Sequence, residues 1–529
     1  MQHVFWTVLW LGLVKVETSC VSLSGIEQGG GEGLIDLDTI RVSLASEPFN
    51  LSNPIIPTVA GCSVGLETPV SMRNLLGIDT AAFSISNMFR PNGVALDIFG
   101  DRETSDARRR CQPTTDEETE LFDLHLRVAI MYALTYGGLK DMPYCRVYLE
   151  PLMEARGHPL SLLEGELNTD TPWGLAKAYV DEIFEFLNEN DGWNADGSLS
   201  QEYNGIPFSD YAKTDSEGNS WSPYIPKNSP RKFNRKRRWQ PLIESNDLGY
   251  VAVQEHVTPH IGTTARLFGF RSKKDEKRFA SRELSRPSYR KKYDEVVHDI
   301  IEESRLMATD EYKQAAITFF DNKFLSLVPL KISFFMRDMD TERALEFYKL
   351  TVEVQLAMYN GVIMAWKEKI RHDLPRPTSI VRSELGDTLV EAYAGPGVGL
   401  QTLKASEWKP FVRTMPHSEF PSASACLCQV FAEQVAYSLG EDTIDPPLEF
   451  DVGGVMLEFD SWSEISSVCG ESRVWGGMHF ADSVPAGAEI CGGNLIAQPI
   501  AGSIGDLIDG DESAAIFNRD GGELLVRPL

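Results

Sequence analysis

Three short motifs place charged and polar groups where an otherwise apolar chain should carry none. Lys369 follows a register of Leu345, Tyr348, Val352, Leu356, Tyr359, Ile363 and Trp366, whose steps of three and four mark the apolar stripe of a long helix. An ammonium at the next position of that stripe must reach water along its stem or meet a buried anion, because an unpaired buried charge is costly. Pro375-Arg376-Pro377 then ends the helix and pins a guanidinium just beyond it. Taken alone, such a pair is more often one that reaches for solvent. Pro421-Ser422-Ala423-Ser424-Ala425 opens a second helix with the apolar row Leu427, Phe431, Val435 and Leu439, ended by Gly440. Small residues at a helix start leave N–H groups open to an oxoanion, although serine there is commonly a simple cap.

The third motif follows Ser461 and Glu464, which read as a capping box over a helix buried through Trp462, Ile465 and Cys469. Ser472-Arg473 come late in that helix, and Gly476-Gly477-Met478-His479 follow. One arginine is ordinarily a surface charge and one histidine ordinarily structural. Together the three motifs supply fixed cations, hydroxyl and N–H donors and one imidazole, a set suited to a multiply charged tetrahedral oxoanion.

The elements that must position these groups are mostly helical. Helical periodicity is expected over 117–155, 172–190 and 288–371, with interruptions near Val328-Pro329 and before Asp340, the expected N-cap of the Lys369 helix. Residues 191–285 read as loops and include the basic run RKFNRKRR at 231–238. That run fits a solvated basic loop, a processing site or a nuclear signal, the first being commonest. Four segments are expected: a signal peptide over 1–20, an irregular or partly β segment over 21–110, a helical domain over 111–480, and a loop and short-strand extension over 481–529.

Composition bounds the rest. The 529 residues are 42% hydrophobic and 10% aromatic, enough for a large core. A net charge of −27 argues against generic nucleic-acid binding. The apolar run at 4–14 is too short to span a bilayer and fits the core of a secretory signal, giving a secreted or lumenal protein without a stable membrane span. Asn50-Leu51-Ser52 is a glycosylation acceptor pattern on that reading. The eight cysteines form no CxxC pair, so no zinc ribbon is indicated, and their spacing leaves disulfides and buried free thiols equally open.

Lys369-x6-Arg376-Pro377, then Pro421-Ser422-Ala423-Ser424, then Ser472-Arg473 with Gly477-x-His479, resembles the three-part signature of vanadium-dependent haloperoxidases, shared with type 2 phosphatidic-acid phosphatases. Arg238-Trp239-Gln240-Pro241-Leu242, Thr258-Pro259-His260-x-Gly262 and the stretch from Tyr312 to Asn322 are similar to segments ahead of that signature in haloperoxidases. The resemblance covers roughly residues 165–480. It implies an all-α fold of two four-helix bundles with the site at one bundle's end. It implies that His479 coordinates vanadium, that Lys369, Arg376 and Arg473 neutralise vanadate oxygens, and that Ser422 and the Ala423 N–H donate hydrogen bonds. It also implies hydrogen peroxide, a halide and an organic acceptor as reaction partners, with Lys369 polarising the bound peroxide. Oligomeric state stays open. His256 and His260 could mimic a metal pair, but no third ligand is near and a packed loop role is the simpler reading.

The sequence departs from the family where the second motif usually ends in histidine. Ser424 stands there, and a serine hydroxyl is no base near neutral pH, so an acid–base contribution of ~10²–10⁴ in rate is weakened or relocated. His417, seven residues earlier, is the candidate replacement, against the reading of a loop histidine near the pocket. A weakened site should favour iodide or bromide over chloride. The alternatives are a phosphatase of the same superfamily, or an oxoanion-binding relative with weak or altered turnover.

Overall fold

In chain order the computed structural model contains α1 (Thr68–Met88), β1 (Val94–Leu96), α2 (Asp116–Lys140), α3 (Arg146–Glu154), α4 (Pro172–Asn190), β2 (Ile243–Ser245), β3 (Val251–Val253) and α5 (Lys273–Ala280). There follow α6 (Tyr293–Met307), α7 (Glu311–Phe319), α8 (Lys323–Phe335), α9 (Thr341–His372), α10 (Pro377–Glu384), β4 (Leu389–Tyr393) and β5 (Leu400–Lys404). The chain closes with α11 (Ala423–Leu439), β6 (Thr443–Val452), β7 (Val455–Ser461), α12 (Trp462–Trp475), α13 (Ser483–Cys491), α14 (Ala497–Ile508), β8 (Ala515–Phe517) and β9 (Glu523–Pro528). The structure describes residues 58–59, 61–62, 68–88, 94–96, 116–140, 142–165, 167–168, 171–190, 224–245, 251–259, 261, 267–270, 273–335, 341–508, 515–517 and 523–528. The 4–14 run, the 50–52 pattern, Cys20, Cys111, His260, Gly262 and Asp340 lie outside them.

The fold is all-α, and its strands form only antiparallel ribbons: β2–β3, β4–β5, β6–β7, and a three-stranded edge in the order β1–β9–β8. Helix α9 is the spine. On one side it packs against α1, which contacts α2 and α4; on the other it packs against α11, which contacts α12 and α13. The expected stripe of α9 is buried at Tyr348, Val352, Leu356, Tyr359, Ile363 and Trp366. Burial extends to Val354, Ala357, Met358, Asn360, Val362 and Met364, so the helix is buried on all sides along its middle. A helix between two bundles needs no polar face. No helix among the described residues is long and apolar enough to cross a membrane.

Several elements differ from the sequence reading. The segment read as irregular or partly β holds the 21-residue α1, and the C-terminal extension holds α13 and α14 besides its strands. The loop region 191–285 contains α5. Helix α8 runs through Pro329, where an interruption was expected. Leu327, Leu330 and Phe335 are buried around that proline, and their packing outweighs its local cost. The capping box at Ser461 and Glu464 does not form. Ser461 makes no capping bond, and Asp442 takes its place, accepting the Ser463 N–H at 2.9 Å on its side chain and the Trp462 N–H at 3.0 Å on its carbonyl. Glu464 instead accepts the Asp460 N–H at 3.0 Å.

The described cysteines are all paired: Cys62–Cys145, Cys426–Cys491 and Cys428–Cys469. The last two tie α11 to α13 and to α12.

Candidate active site

The site forms where the ends of α9 and α12 meet the start of α11. Lys369 lies in the last turn of α9, and the chain then turns through Asp373 at φ 53°. That uncommon backbone is held from several directions. Asp373 donates its N–H to Lys369 O at 2.8 Å, while its carbonyl accepts from Trp239 N at 2.8 Å and its carboxylate from Tyr224 Oη at 2.7 Å. Arg238 adds an ion pair at 3.3 Å. The Arg238-Trp239 segment therefore braces the turn that aims Arg376. The 256–258 segment braces the facing loop: Val257 N donates to Pro416 O at 3.0 Å, and Ser418 N donates to His256 Nε2 at 3.2 Å. Buried His256 is thereby a packed loop residue, and burial depresses its pKa to about 3.

Arg376 caps α10 and is fully enclosed. Its Nε donates to His417 O at 2.9 Å, Nη1 to Met478 O at 3.0 Å and to His479 Nε2 at 3.1 Å, and Nη2 to His417 Nδ1 at 3.0 Å. One guanidinium thus joins the first motif to the third and to the loop ahead of the second. Lys369 Nζ donates to the carbonyls of Ser418 at 2.8 Å, Glu419 at 3.2 Å and Pro421 at 2.5 Å. All three of its donors anchor the loop leading to Ser422, a departure from the expectation that they face the anion directly.

Ser422 accepts the Ala425 N–H on Oγ at 3.2 Å as the N-cap of α11, which leaves its hydroxyl proton free to donate. The first-turn amides of Ala423 and Ser424 have no intrahelical acceptor by construction. Gly487 of α13 presses on this start: a Cβ there would lie 2.2 Å from Ser422 O. Ser424 is half-buried in the first turn and makes no side-chain hydrogen bond to His479, Arg376 or Lys369.

After α12 the chain reverses through Gly477 at φ +73°, where a Cβ would also meet the Trp408 ring at 3.0 Å. The reversal returns His479 over Arg473, whose carbonyl accepts the His479 N–H at 3.2 Å. Arg473 Nη1 donates to Asp321 Oδ1 at 3.3 Å, and its buried Nε has no partner among the described residues. His417 packs against Trp366 at a tilt, with ring centres 4.9 Å apart.

Two residues missed in the sequence belong to the same cluster. Lys323, at the start of α8, is buried and donates to Phe320 O at 2.8 Å and Asp321 O at 3.1 Å. Its signal was the buried frame of Phe320 and Phe324 around it. Glu419 is fully buried between Lys369 and His479. Its Oε1 lies 3.0 Å from His479 Nδ1 and accepts from Phe480 N at 3.1 Å, while Oε2 accepts from Tyr289 Oη.

The electrostatics follow from this crowding. Burial, then repulsion from Arg376, holds the Lys369 ammonium well below its ordinary range. Burial, then Arg473, does the same to Lys323. Burial also depresses Arg376 to about 9, with Glu419 opposing and Arg473 reinforcing the shift. His417 and His479 are held neutral by burial, Arg376 and Lys369. Lys323, Lys369, Arg376 and Arg473 are thus four buried cations set against Glu419 and the partly exposed Asp321. Such a cluster, with an orphaned guanidinium N–H in it, fits a multiply charged oxoanion.

Residues 349–510 match the family model of the VCPO second helical-bundle domain. Among solved structures, the chain is similar to the apo-type bacterial vanadium-dependent chloroperoxidase (TM-score 0.67, 21% identity, covering 84% of this chain and 95% of that one). It is similar to the holo-type bacterial vanadium-dependent chloroperoxidase (0.67, 22%, 83% and 93%) and to a bacterial vanadium-dependent iodoperoxidase (0.53, 16%, 85% and 95%). No curated protein sequence matches the chain.

Proposed function

We propose, from the match of residues 349–510 to the VCPO second helical-bundle domain and the likeness of the fold to solved vanadium-dependent haloperoxidases, a vanadate-dependent peroxidase that oxidises iodide or bromide with hydrogen peroxide to hypohalous acid. The observation that carries this reading is the convergence of Lys323, Lys369, Arg376 and Arg473 on His479 with too few carboxylates to neutralise them. Arg376 and Arg473 would hold vanadate oxygens, the Ser422 hydroxyl and the Ala423 amide would donate to them, and His479 would hold the metal. Lys369 acts through its charge and by fixing the loop at 418–421. Bound vanadate supplies a Lewis-acid centre at which hydrogen peroxide is activated toward halide attack.

Proton handling sets the halide range. Ser424 is no base, and His417 is a neutral imidazole whose Nδ1 already accepts from Arg376. A weak base beside the site favours the more easily oxidised halides, iodide and bromide, over chloride. An organic acceptor would trap the oxidised halogen. Export from the cytoplasm is part of the proposal, supported by the three disulfides.

The test is reconstitution with vanadate and measurement of peroxide consumption with iodide, bromide and chloride in turn. Vanadate-independent activity, or chloride turnover matching bromide, counts against the reading. Ser424 favours a second one, an oxoanion-binding relative with weak turnover, which vanadate binding without halide-dependent consumption would support. Hydrolysis of p-nitrophenyl phosphate, inhibited by vanadate, would indicate a phosphatase.

A further inference from the structure

The side chain of Glu419 is committed on every edge. Oε1 meets His479 Nδ1 at 3.0 Å and the Phe480 N–H at 3.1 Å, and Oε2 takes the Tyr289 hydroxyl, which itself lies 3.2 Å from Ser483 Oγ. The backbone is equally fixed: Glu419 N donates to Leu374 O at 2.9 Å, and its carbonyl accepts from Lys369. Neither Glu419 nor His479 has meaningful access to water.

A neutral imidazole carries one N–H and one lone pair, and the partner of one nitrogen decides which is which. Both Glu419 oxygens are acceptors in this arrangement, because Phe480 N and Tyr289 Oη donate to them. The proton of His479 therefore belongs on Nδ1. The lone pair is left on Nε2, the nitrogen that faces Arg376 Nη1 at 3.1 Å in the middle of the cation cluster.

We infer that Glu419 is a positioning residue for His479, holding the ring in the Nδ1–H tautomer so that Nε2 is the nitrogen offered to vanadium. The inference rests on the vanadate reading above and adds to it a residue outside the three motifs. It separates two contributions to oxoanion binding. The cations and the Ser422 hydroxyl act on any tetrahedral oxoanion, whereas the Nε2 lone pair acts only on one whose central atom takes a nitrogen ligand. Vanadate does so; phosphate, whose phosphorus stays four-coordinate, does not.

The experiment titrates vanadate and phosphate separately into the metal-free full chain by calorimetry, comparing wild type with Glu419→Leu, Glu419→Gln and His479→Ala. Glu419→Leu removes the acceptor and should weaken vanadate ~10–100-fold, the usual effect of losing a partner of a ligating histidine. Phosphate should stay within ~3-fold. Glu419→Gln keeps an acceptor oxygen and should retain most vanadate affinity, while His479→Ala should lose the vanadate preference altogether. Equal losses of vanadate and phosphate in Glu419→Leu, or no vanadate loss, would overturn the role of Glu419. Failure of the wild type to prefer vanadate over phosphate would instead overturn the underlying reading. Should Glu419→Leu not fold, long-range ¹⁵N–¹H spectra of the wild type decide. A proton found on Nδ1 of His479 supports the inference, and one on Nε2 ends it.

Discussion

Arg376 Nη1 lies 3.1 Å from His479 Nε2 while Nη2 of the same guanidinium lies 3.0 Å from His417 Nδ1, so a single planar group spans two histidines from different segments. Lysine cannot reproduce that fork, because its ammonium is a point charge on a flexible stem. Arg376→Lys should therefore weaken vanadate ~10–100-fold, the scale of losing one charge-assisted hydrogen bond. Vanadate titration of the purified variant checks this; retained affinity would show that charge alone suffices.

Ser424→His introduces an imidazole in the first turn of α11, where Ser424 is half-buried. If proton transfer limits the reaction, bromide-dependent peroxide consumption should rise at least ~10-fold, the lower part of the general acid–base range. Ser424→Ala should leave the rate near wild type. A rise in Ser424→His that is absent at low pH would identify the new imidazole as the base.

The contact of Gly487 with Ser422 O makes a methyl group at that position disruptive. Gly487→Ala must push α13 off the start of α11, at a cost of ~1–3 kcal/mol in stability. Because the displaced backbone is the one that aims Ser422 and Ala423, oxoanion affinity should fall as well. Thermal melts and phosphate titration report the two effects separately.

A buried pair far from the motifs sets a pH dependence. Asp79 of α1 and Lys331 of α8 line a cavity with Tyr348, Thr351 and Gln355. Burial raises Asp79 to about 7 and lowers Lys331 to about 8, each opposed by the other. The raised Asp79 contributes stability that is present below pH 4 and lost as pH climbs to about 7. The depressed Lys331 contributes stability present above pH 10.5 and lost as pH falls through about 8. The pair is therefore costliest between pH 7 and 8, and Asp79→Asn combined with Lys331→Met should gain more stability at pH 7.5 than at pH 4.5. Urea unfolding at the two pH values is the check; an equal gain at both would exclude the pair as its source.

Much of the site could be read from the sequence because its groups sit at fixed offsets from strong local signals. The α9 stripe places Lys369, the proline pair places Arg376, and the cap of α11 places Ser422, all as read. The sequence offers no such offset for Glu419, a lone acid in a loop whose partners Tyr289 and His479 are 130 and 60 residues away. Lys323 is one of fifty basic residues, marked only by the apolar Phe320 and Phe324 on either side of it. Helix α1 escaped because it is buried almost all round and interspersed with Ser and Thr, so it shows neither an apolar stripe nor strong propensity. Pro329 misled in the opposite sense, since a helix packed on both flanks survives a residue that would break an exposed one.

The three disulfides have a consequence beyond holding helices together. Hypohalous acids attack thiolates faster than almost any other side chain, and the thiolate is the form that reacts. Among the described residues every cysteine is already bonded to another, including the four on the helices that build the site. If the proposed reaction holds, an oxidant released beside His479 would meet no reduced cysteine among the described residues.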